Sequence, residues 1–404
     1  DQRDPDDPGT IPDYPGAYWV YDVAVPRGFA EDLWISIVHP PDDIQLKVDT
    51  VSAANPGSDT ELHDAEKGVR IPLASLPWFK RWPEKGKRPD RAAFLAGSCR
   101  YPGSPFEKNQ ADRVFSEMCR QVFDTEAGPG VDHVLLLGDQ IYADATADIF
   151  DGRELRERFG NRYREAFGAR HLSRLLAMVP TYMTMDDHEF DDNWPGQDVR
   201  RGPRESLVEK YRENYYHGMA AVKAYEWSMS QRGGWPHDPV TKQPGATGGL
   251  WYSFESGGLP FFVMDTRTER MLRRDSVSAT AAALVNPAQF RALRDWLEDQ
   301  QKNNPNQPKF IVSGSVLAPI PQWYSEERKW ACRSLDGWAG YPATWRAVVE
   351  HIVEKQIHKV VFLAGDYHFS ALAKLTLEAE AKGQPVDAYQ IVASGLFAPL
   401  PFAN

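Results

Sequence analysis

Residues 133–142 read HVLLLGDQIY, an apolar run that ends abruptly at a glycine followed by an aspartate. The same design recurs from Arg91 onward in the segments AAFLAGSC, TYMTMDDHE, LPFFVMDTR, KFIVSGS and VVFLAGDYH. Apolar runs of roughly 4–6 residues without polar alternation are typical of strands that are covered on both faces. Each segment therefore predicts a buried strand with a small or acidic residue at its carboxyl end.

Helical patterns lie between these runs. In NPAQFRALRDWLEDQQ, at residues 286–301, Asn286 is the expected N-cap and Pro287 occupies the first turn. A second helix is predicted for YPATWRAVVEHIVEKQ at residues 341–356. Alternating strands and helices predict an α/β fold with a largely parallel sheet. Ligands of such sheets bind beyond the carboxyl ends of the strands, where Asp, Cys and His residues fall in this sequence.

The composition of the 404-residue chain, 42% hydrophobic and 12% aromatic, allows one large core. We predict a small β-containing appendage at residues 1–90, which holds the β-type runs YWVYDVAV and DLWISIVH, and one larger domain at residues 91–404. The net charge of −11, with scattered basic residues, argues against nucleic-acid binding beyond a possible role as substrate. The three cysteines imply no disulfide framework.

No apolar run approaches the roughly 18 residues that span a bilayer, so no transmembrane segment is predicted. The opening residues DQRDPDDPGT are acidic and polar, unlike a signal peptide. We therefore expect a soluble protein. Because the sequence begins at Asp1 rather than Met, we expect it to be either exported, with its signal removed or trimmed, or cytoplasmic. No pattern indicates the oligomeric state.

Taken singly, each polar strand end has an ordinary structural interpretation. Cys99 suits a buried filler, Asp139 suits a helix cap, and Asp366 with His368 suits a hydrogen-bonded turn. The segment YMTMDDHEFDDNW at residues 182–194 is compatible with a solvated acidic turn. Four such ends on strands of one sheet, however, bring their side chains toward one point.

Convergence would gather six residues that include several acidic groups: Cys99, Asp139, Tyr142, Asp187, Asp366 and His368. Carboxylates this close repel one another unless a cation joins them, which predicts metal ions. A thiolate, a phenolate and a carboxylate suit a trivalent ion such as Fe(III). Asp187 and Asp366 offer hard oxygens for Ca²⁺, Mg²⁺ or Mn²⁺, and Asp139 is placed to bridge two ions about 3.5–4 Å apart.

At this point the sequence resembles a known family. Gly138-Asp139 with Tyr142 resembles a motif of purple acid phosphatases, and DDHE at 186–189 stands where metallophosphoesterases have G-N-H-E. GDYH at 365–368 stands where that superfamily has G-H-x-H, and the combination resembles the alkaline phosphatase D (PhoD-like) family over residues 91–396. The resemblance implies a four-layer α/β/β/α sandwich and a phosphomonoesterase or phosphodiesterase with iron and calcium as cofactors.

The same resemblance implies roles for the residues. An iron ion would be held by Cys99, Asp139, Tyr142 and His368, and a second ion by Asp139, Asp187 and Asp366. His188 would protonate the leaving oxygen or stabilise the transition state. One departure concerns the strand in FIVSGSV, where an expected histidine is absent and only Ser313 and Ser315 are available.

Further residues have two interpretations each. Arg267 is a candidate catalytic clamp for a phosphate oxygen, although a salt bridge with Asp265 is equally open. Arg100 has the same two alternatives.

Trp338 and Tyr341 suit either the pocket rim or the core, and residues 232–249 suit an irregular rim segment or a substrate lid. Four other histidines are interpreted as surface or packing residues: His133, His217, His351 and His358.

The function predicted from these residues is metal-dependent hydrolysis of phosphate monoesters or diesters, on a small-molecule or polymeric substrate. The alternative is a non-catalytic, Ca²⁺-stabilised binding protein, which Cys99 and His188 disfavour because neither side chain is a typical calcium ligand. A serine hydrolase is disfavoured because the sequence has no G-x-S-x-G. Glycine motifs for nucleotide binding are also absent from the sequence.

Overall fold

The computed structural model describes residues 33–38, 45–50, 69–72, 92–101, 108–123, 131–143, 155–194, 214–215, 217–227, 250–271, 281–317, 337–379 and 383–398. Its strands are β1 (Leu33–Val38), β2 (Gln45–Thr50), β3 (Val69–Pro72), β4 (Phe94–Gly97), β5 (His133–Leu137), β6 (Thr181–Thr184), β7 (Tyr252–Ser256), β8 (Leu259–Val263), β9 (Lys309–Ser313), β10 (Val360–Ala364), β11 (Ser370–Leu377) and β12 (Val386–Ala393). All six apolar runs of the sequence analysis contain a strand, so that prediction is confirmed.

The helices are α1 (Lys108–Ala111), α2 (Arg113–Phe123), α3 (Leu155–Phe167), α4 (Arg170–Met178), α5 (Pro287–Asn303) and α6 (Pro342–Glu354), with a π-helix at Lys223–Trp227. The predicted cap is confirmed, because the Asn286 side chain accepts a hydrogen bond from Gln289 N. Among the described helices, none combines the length and the apolar character that a bilayer span requires.

The strands of the larger predicted domain form two sheets rather than the single sheet that the strand pattern alone suggested. One sheet has the order β4-β5-β6 and is parallel throughout. The other has the order β11-β12-β10-β9-β8-β7, in which β12, β10, β9 and β8 are parallel and the edge strands β11 and β7 are antiparallel. The periodicity of a strand does not reveal which sheet it joins, and this accounts for the difference.

Alternate residues of these strands belong to different cores, as the pleat requires. A cluster shared by both sheets includes Leu135 and Leu137 of β5, Phe261 and Val263 of β8, Val312 of β9 and Leu363 of β10. The ring of Phe261 lies 5.0 Å from that of His133 and 4.8 Å from that of Phe310. His133 is thus a packing residue, as predicted, and burial lowers its pKa to about 3. The two sheets therefore pack against each other through aromatic contacts.

Residues of helices share apolar clusters with residues of both sheets. Phe262, Ile311 and Phe362 of the six-stranded sheet share a cluster with residues of α5 and α6. Val134, Leu136 and Met183 of the three-stranded sheet share another with residues of α2 and α4. The described part of the chain is thus a mixed α/β structure with apolar clusters on both faces of each of these sheets.

The segment predicted as an N-terminal appendage is described in part. β1 pairs antiparallel with both β2 and β3, which gives a separate three-stranded sheet. The run DLWISIVH contains β1, which confirms its β character, whereas YWVYDVAV lies outside the described residues.

Glycine allows the carboxyl ends of the β4–β6 sheet and the six-stranded sheet to approach each other closely. A Cβ atom added to Gly365, after β10, would come within 2.6 Å of Ser98 Oγ and 2.8 Å of Leu137 O. Backbone hydrogen bonds join the ends as well, since Leu396 N donates to Ser98 O at 2.9 Å. Residues that follow strands of different sheets are therefore brought within contact distance.

Candidate metal centre

The predicted metal ligands lie together at this meeting of strand ends. Cys99 follows β4, Asp139 and Tyr142 follow β5, and Asp187 follows β6. Asp366 and His368 follow β10 and approach from the other sheet. The side chains thus converge as expected, although their strands belong to two sheets rather than one.

Ligand atoms form three groups whose members all lie within 4.8 Å of one another. The groups are Cys99–Asp139–His368, Asp139–Asp187–His188, and Asp186–Asp187–Asp366. Tyr142 adjoins the first group, because its hydroxyl lies 3.1 Å from His368 Nε2 and 3.5 Å from Asp139 Oδ2. Asp139 and Asp187 each belong to two groups, so the three groups form one continuous set of donors.

Four of these residues have left-handed backbone conformations. The φ angle is 60° at Cys99, 55° at Asp139, 75° at Asp366 and 54° at His368. A side chain in this region is strained unless the surrounding structure holds it there, and such residues cluster at functional sites. Hydrogen bonds from the backbone N–H groups help to hold these residues, since Cys99 N donates to Gly138 O at 3.2 Å and His368 N donates to the Ser394 side-chain Oγ at 2.9 Å.

The electrostatics of the cluster favour a bound cation. Burial raises the pKa of Asp139 well above its ordinary value, and negative charge on Cys99 and Asp187 raises it further. Burial likewise raises the pKa of the Cys99 thiol, and burial and Asp139 raise that of the Tyr142 phenol. All three groups are ligands only in the deprotonated form, which a nearby metal ion stabilises.

The donor set also fits metal ions in its chemistry. Cys99, Asp139 and Asp187 are buried, and each presents a sulfur or oxygen atom to the same small region. Asp187 Oδ1 accepts no hydrogen bond within the part of the chain that the structure describes. Buried acids without compensation are costly, so a site of this composition is suited to cations rather than to further anions.

Arg267 contributes one positive charge from the loop after β8. Its Nε forms an ion pair with Asp186 Oδ1, and its Nη2 lies 3.5 Å from Asp187 Oδ1 and 3.9 Å from Asp366 Oδ2. The backbone N–H of Arg267, in contrast, donates to Asp265 Oδ1. The pairing with Asp186 was not anticipated, because the sequence analysis weighed only a phosphate clamp and a salt bridge with Asp265.

Glu189 is a residue whose role the sequence analysis missed. It is fully buried, and its carboxylate accepts hydrogen bonds from the backbone N–H groups of Asp139, Gln140 and Asp186 at 3.0, 2.6 and 2.7 Å. It therefore fastens the loop after β5 to the loop after β6. Burial raises its pKa to about 7. An acid placed five residues beyond a strand, in a run of other acids, gave no sequence signal for this function.

His188 is half-buried and stacks on the Tyr142 ring, with centroids 4.2 Å apart. Its backbone N–H lies 3.4 Å from Asp139 Oδ1. A ring nitrogen of His188 lies within 4.8 Å of carboxylate oxygens of Asp139 and Asp187. His188 is thus placed either to transfer a proton or to bind a metal ion. The prediction from sequence named only the first.

The remaining candidates lie away from the cluster or play structural parts. Trp338 and Tyr341 are buried, and Trp338 Nε1 donates to Ser313 Oγ, so both are core residues rather than rim residues.

Ser315 lies where the histidine expected from the resemblance is absent, with Oγ 3.5 Å from Asp186 Oδ1. Arg100 is buried and close to the negative charges of Asp112 and Glu165, which favours its structural interpretation. Residues 232–249 lie outside the described residues.

Comparisons with known proteins show what the chain is similar to. A model of the PhoD-like phosphatase family matches residues 100–399. Alkaline phosphatase D of Bacillus subtilis (strain 168) is 24% identical over 335 residues, which cover 80% of this chain and 54% of that protein. The chain thus spans about half the length of this curated relative. A solved structure described as "Structure of PhoD" superposes with a TM-score of 0.57 at 18% identity, over 90% of this chain and 70% of the other, which shows a shared fold.

The Glu189 contacts generate a prediction. In Glu189→Gln, one of the two acceptor oxygens becomes an NH₂ group that faces backbone N–H donors. Because buried donors then lose their partner, we expect the free energy of unfolding to fall by about 3 kcal/mol. Chemical denaturation measures this change, with Glu255→Gln on the exposed part of β7 as the matched control. Equal stability of the two variants would show that the Glu189 carboxylate does not fasten the loops.

Proposed function

Because the chain belongs to the PhoD-like phosphatase family, we propose that it hydrolyses phosphate esters at a centre of two metal ions. The observation that carries the proposal is the continuous set of donors, in which Asp139 and Asp187 are each shared between two groups. Shared carboxylates are typical of two-metal sites that act on phosphate esters. The family match and the donor set support the same chemistry independently of each other.

We also propose that the core has four layers, with the two sheets inside and helices outside. The aromatic cluster between the sheets and the helix-covered clusters on their other sides support this arrangement. The separate sheet of β1–β3 supports an N-terminal unit at residues 1–90, followed by a catalytic domain at 91–404.

The proposed ligands of the first ion are Cys99, Asp139, Tyr142 and His368. Their three potential anions favour a trivalent ion, which we take to be Fe³⁺. Asp139, Asp187 and Asp366 would hold the second ion, and their hard oxygens favour Ca²⁺, Mg²⁺ or Mn²⁺. When bound, such ions polarise a phosphoryl oxygen and lower the pKa of water.

Two residues would act directly on the substrate. His188, half-buried beside Asp187, would donate a proton to the departing oxygen of the ester. Arg267 would help to bind the phosphoryl group, because its pairing with Asp186 leaves Nη2 between Asp187 and Asp366. A planar guanidinium held in this way suits phosphate oxygens. We propose phosphate monoesters or diesters as substrates, either small molecules or polymers.

Asp139→Asn tests the function most simply, because it removes the carboxylate that the two proposed sets of metal ligands share. We expect loss of hydrolysis of p-nitrophenyl phosphate and bis(p-nitrophenyl) phosphate, together with lower content of both metals by elemental analysis. Asp295→Asn, an exposed substitution on α5, is the control. A purified wild-type protein that binds calcium alone and hydrolyses neither ester would favour the alternative of a non-catalytic binding protein.

The identity of the first ion is tested with Cys99 and Tyr142. A thiolate or phenolate that donates charge to Fe³⁺ gives a visible absorption band, so we expect a coloured protein. Tyr142→Phe keeps the ring volume and should shift or bleach the band, whereas Cys99→Ser should lose most of the iron. The control is Cys119→Ser, which replaces a buried cysteine on α2 whose Sγ donates to His171 O at 3.4 Å.

An unchanged spectrum and full iron content in Cys99→Ser would overturn the assignment of this residue. The same result in Tyr142→Phe would assign the phenol to packing instead.

The role of His188 is tested with leaving groups of different basicity. General acid catalysis contributes roughly 10²–10⁴-fold in rate, and it matters most when the departing oxygen is basic. We therefore expect His188→Ala to lose far more activity on alkyl phosphates than on p-nitrophenyl phosphate, with His358→Ala as an exposed control. An equal loss on both substrates would indicate that His188 binds metal.

A further inference from the structure

Two aromatic side chains flank His368 on either side in the chain, and both are exposed. Tyr367 is 37% exposed and Phe369 is 46% exposed. The sequence analysis assigned neither of them a role. Large apolar groups at the surface of a protein are most informative where they adjoin a functional site.

The turn after β10 explains why these two rings face solvent while His368 faces the donors. Tyr367 N donates to Gly365 O at 3.0 Å, and the left-handed φ angles at Asp366 and His368 reverse the chain on both sides of Tyr367. His368 Nε2 then lies 3.1 Å from the Tyr142 hydroxyl. The backbone that holds a proposed ligand inside the site therefore also holds its two neighbours at the edge of the site.

The two rings form a compact apolar surface. Their centroids lie 5.8 Å apart with a tilt of 43° between the planes. Tyr367 also lies against the segment that begins at Gly337, because a Cβ atom on that glycine would be 3.8 Å from the Tyr367 hydroxyl. The surface is thus bounded on one side by the segment at Gly337.

We propose that Tyr367 and Phe369 form an aromatic shelf that binds a planar, aromatic leaving group of the phosphate ester, such as a nucleobase. The inference rests on the proposed function of the adjacent centre. Ring faces attract planar groups through stacking, which tolerates differences in the identity of the ring. The neighbouring donors are predominantly acidic, so an uncharged contact suits this edge of the site better than an anionic leaving group.

The first experiment compares kcat/KM for phenyl phosphate with kcat/KM for glycerol 2-phosphate. The difference in leaving-group basicity between the two substrates affects this ratio equally in the wild type and in every variant. A change of the ratio between variants therefore reports the contact with the leaving group. We expect the ratio to fall about tenfold in Tyr367→Ala and in Phe369→Ala, within the range known for single stacking contacts. Phe369→Tyr, which keeps the ring, should restore it.

The matched control is Tyr389→Ala. Tyr389 is 43% exposed on β12, and it pairs with Val361 at the start of β10, far from the carboxyl end of that strand. The ratio should be unchanged in this variant. Similar thermal midpoints of the three alanine variants would confirm that the substitutions leave the fold intact, as expected for exposed positions.

A second measurement separates the shelf from catalysis. Binding of phenylphosphonate and methylphosphonate to the metal-loaded protein is measured by calorimetry, and the preference for the phenyl compound should fall about tenfold in both shelf variants. The proposal would be overturned if the shelf variants lose affinity for the phenyl and the methyl compound equally. It would also be overturned if the substitutions lower activity only on long-chain alkyl phosphates. A wild-type protein that hydrolyses no ester would contradict the proposed function, whereas the phosphonate preference would still decide the shelf.

Discussion

The structure depends on the compensation of buried negative charge at one point between two sheets. Asp139, Asp186, Asp187 and Glu189 are all buried there, and Asp366 approaches from the other sheet. Burial is the main cause that raises the pKa values of Asp139 and Glu189, and protonated acids would be poor ligands and poor ion-pair partners. Arg267 supplies one cation within the described site, and Glu189 is stabilised by backbone N–H groups. The remaining charge is the physical reason for proposing metal ions.

This constraint also accounts for the unusual backbone around the site. A short carboxylate or thiol at a strand end reaches a shared point only if the chain turns sharply there. Cys99, Asp139, Asp366 and His368 accomplish this with left-handed φ angles, and Gly365 allows the two sheets to approach. Hydrogen bonds between strand ends hold these turns, and the bond from Phe397 N to Cys99 O joins the two sheets. The exposed rings of Tyr367 and Phe369 follow from the same turn.

Much of this arrangement could be predicted from the sequence. Apolar runs located six strands of the β4–β6 sheet and the six-stranded sheet, and the Asn286 cap located the start of α5. Site residues could be named because the carboxyl ends of parallel strands share one edge. The division into two sheets could not be read from apolar runs, since a strand buried on both faces has the same pattern in either. The ion pair of Arg267 with Asp186 and the clamp by Glu189 also stayed hidden, because adjacent acids in DDHE look alike until the backbone assigns each a direction.

The central claim is that cations hold the buried acids of this site together, and the thermal unfolding midpoint tests it most directly. The midpoint is measured on the protein as purified, after removal of metals with a chelator, and after iron and calcium are restored. A ligand at about 100 times its Kd stabilises a protein by roughly 2.7 kcal/mol, so the account predicts a fall of several degrees on chelation and recovery on restoration. A midpoint that is the same in all three states, with metal loss verified by elemental analysis, would contradict the account.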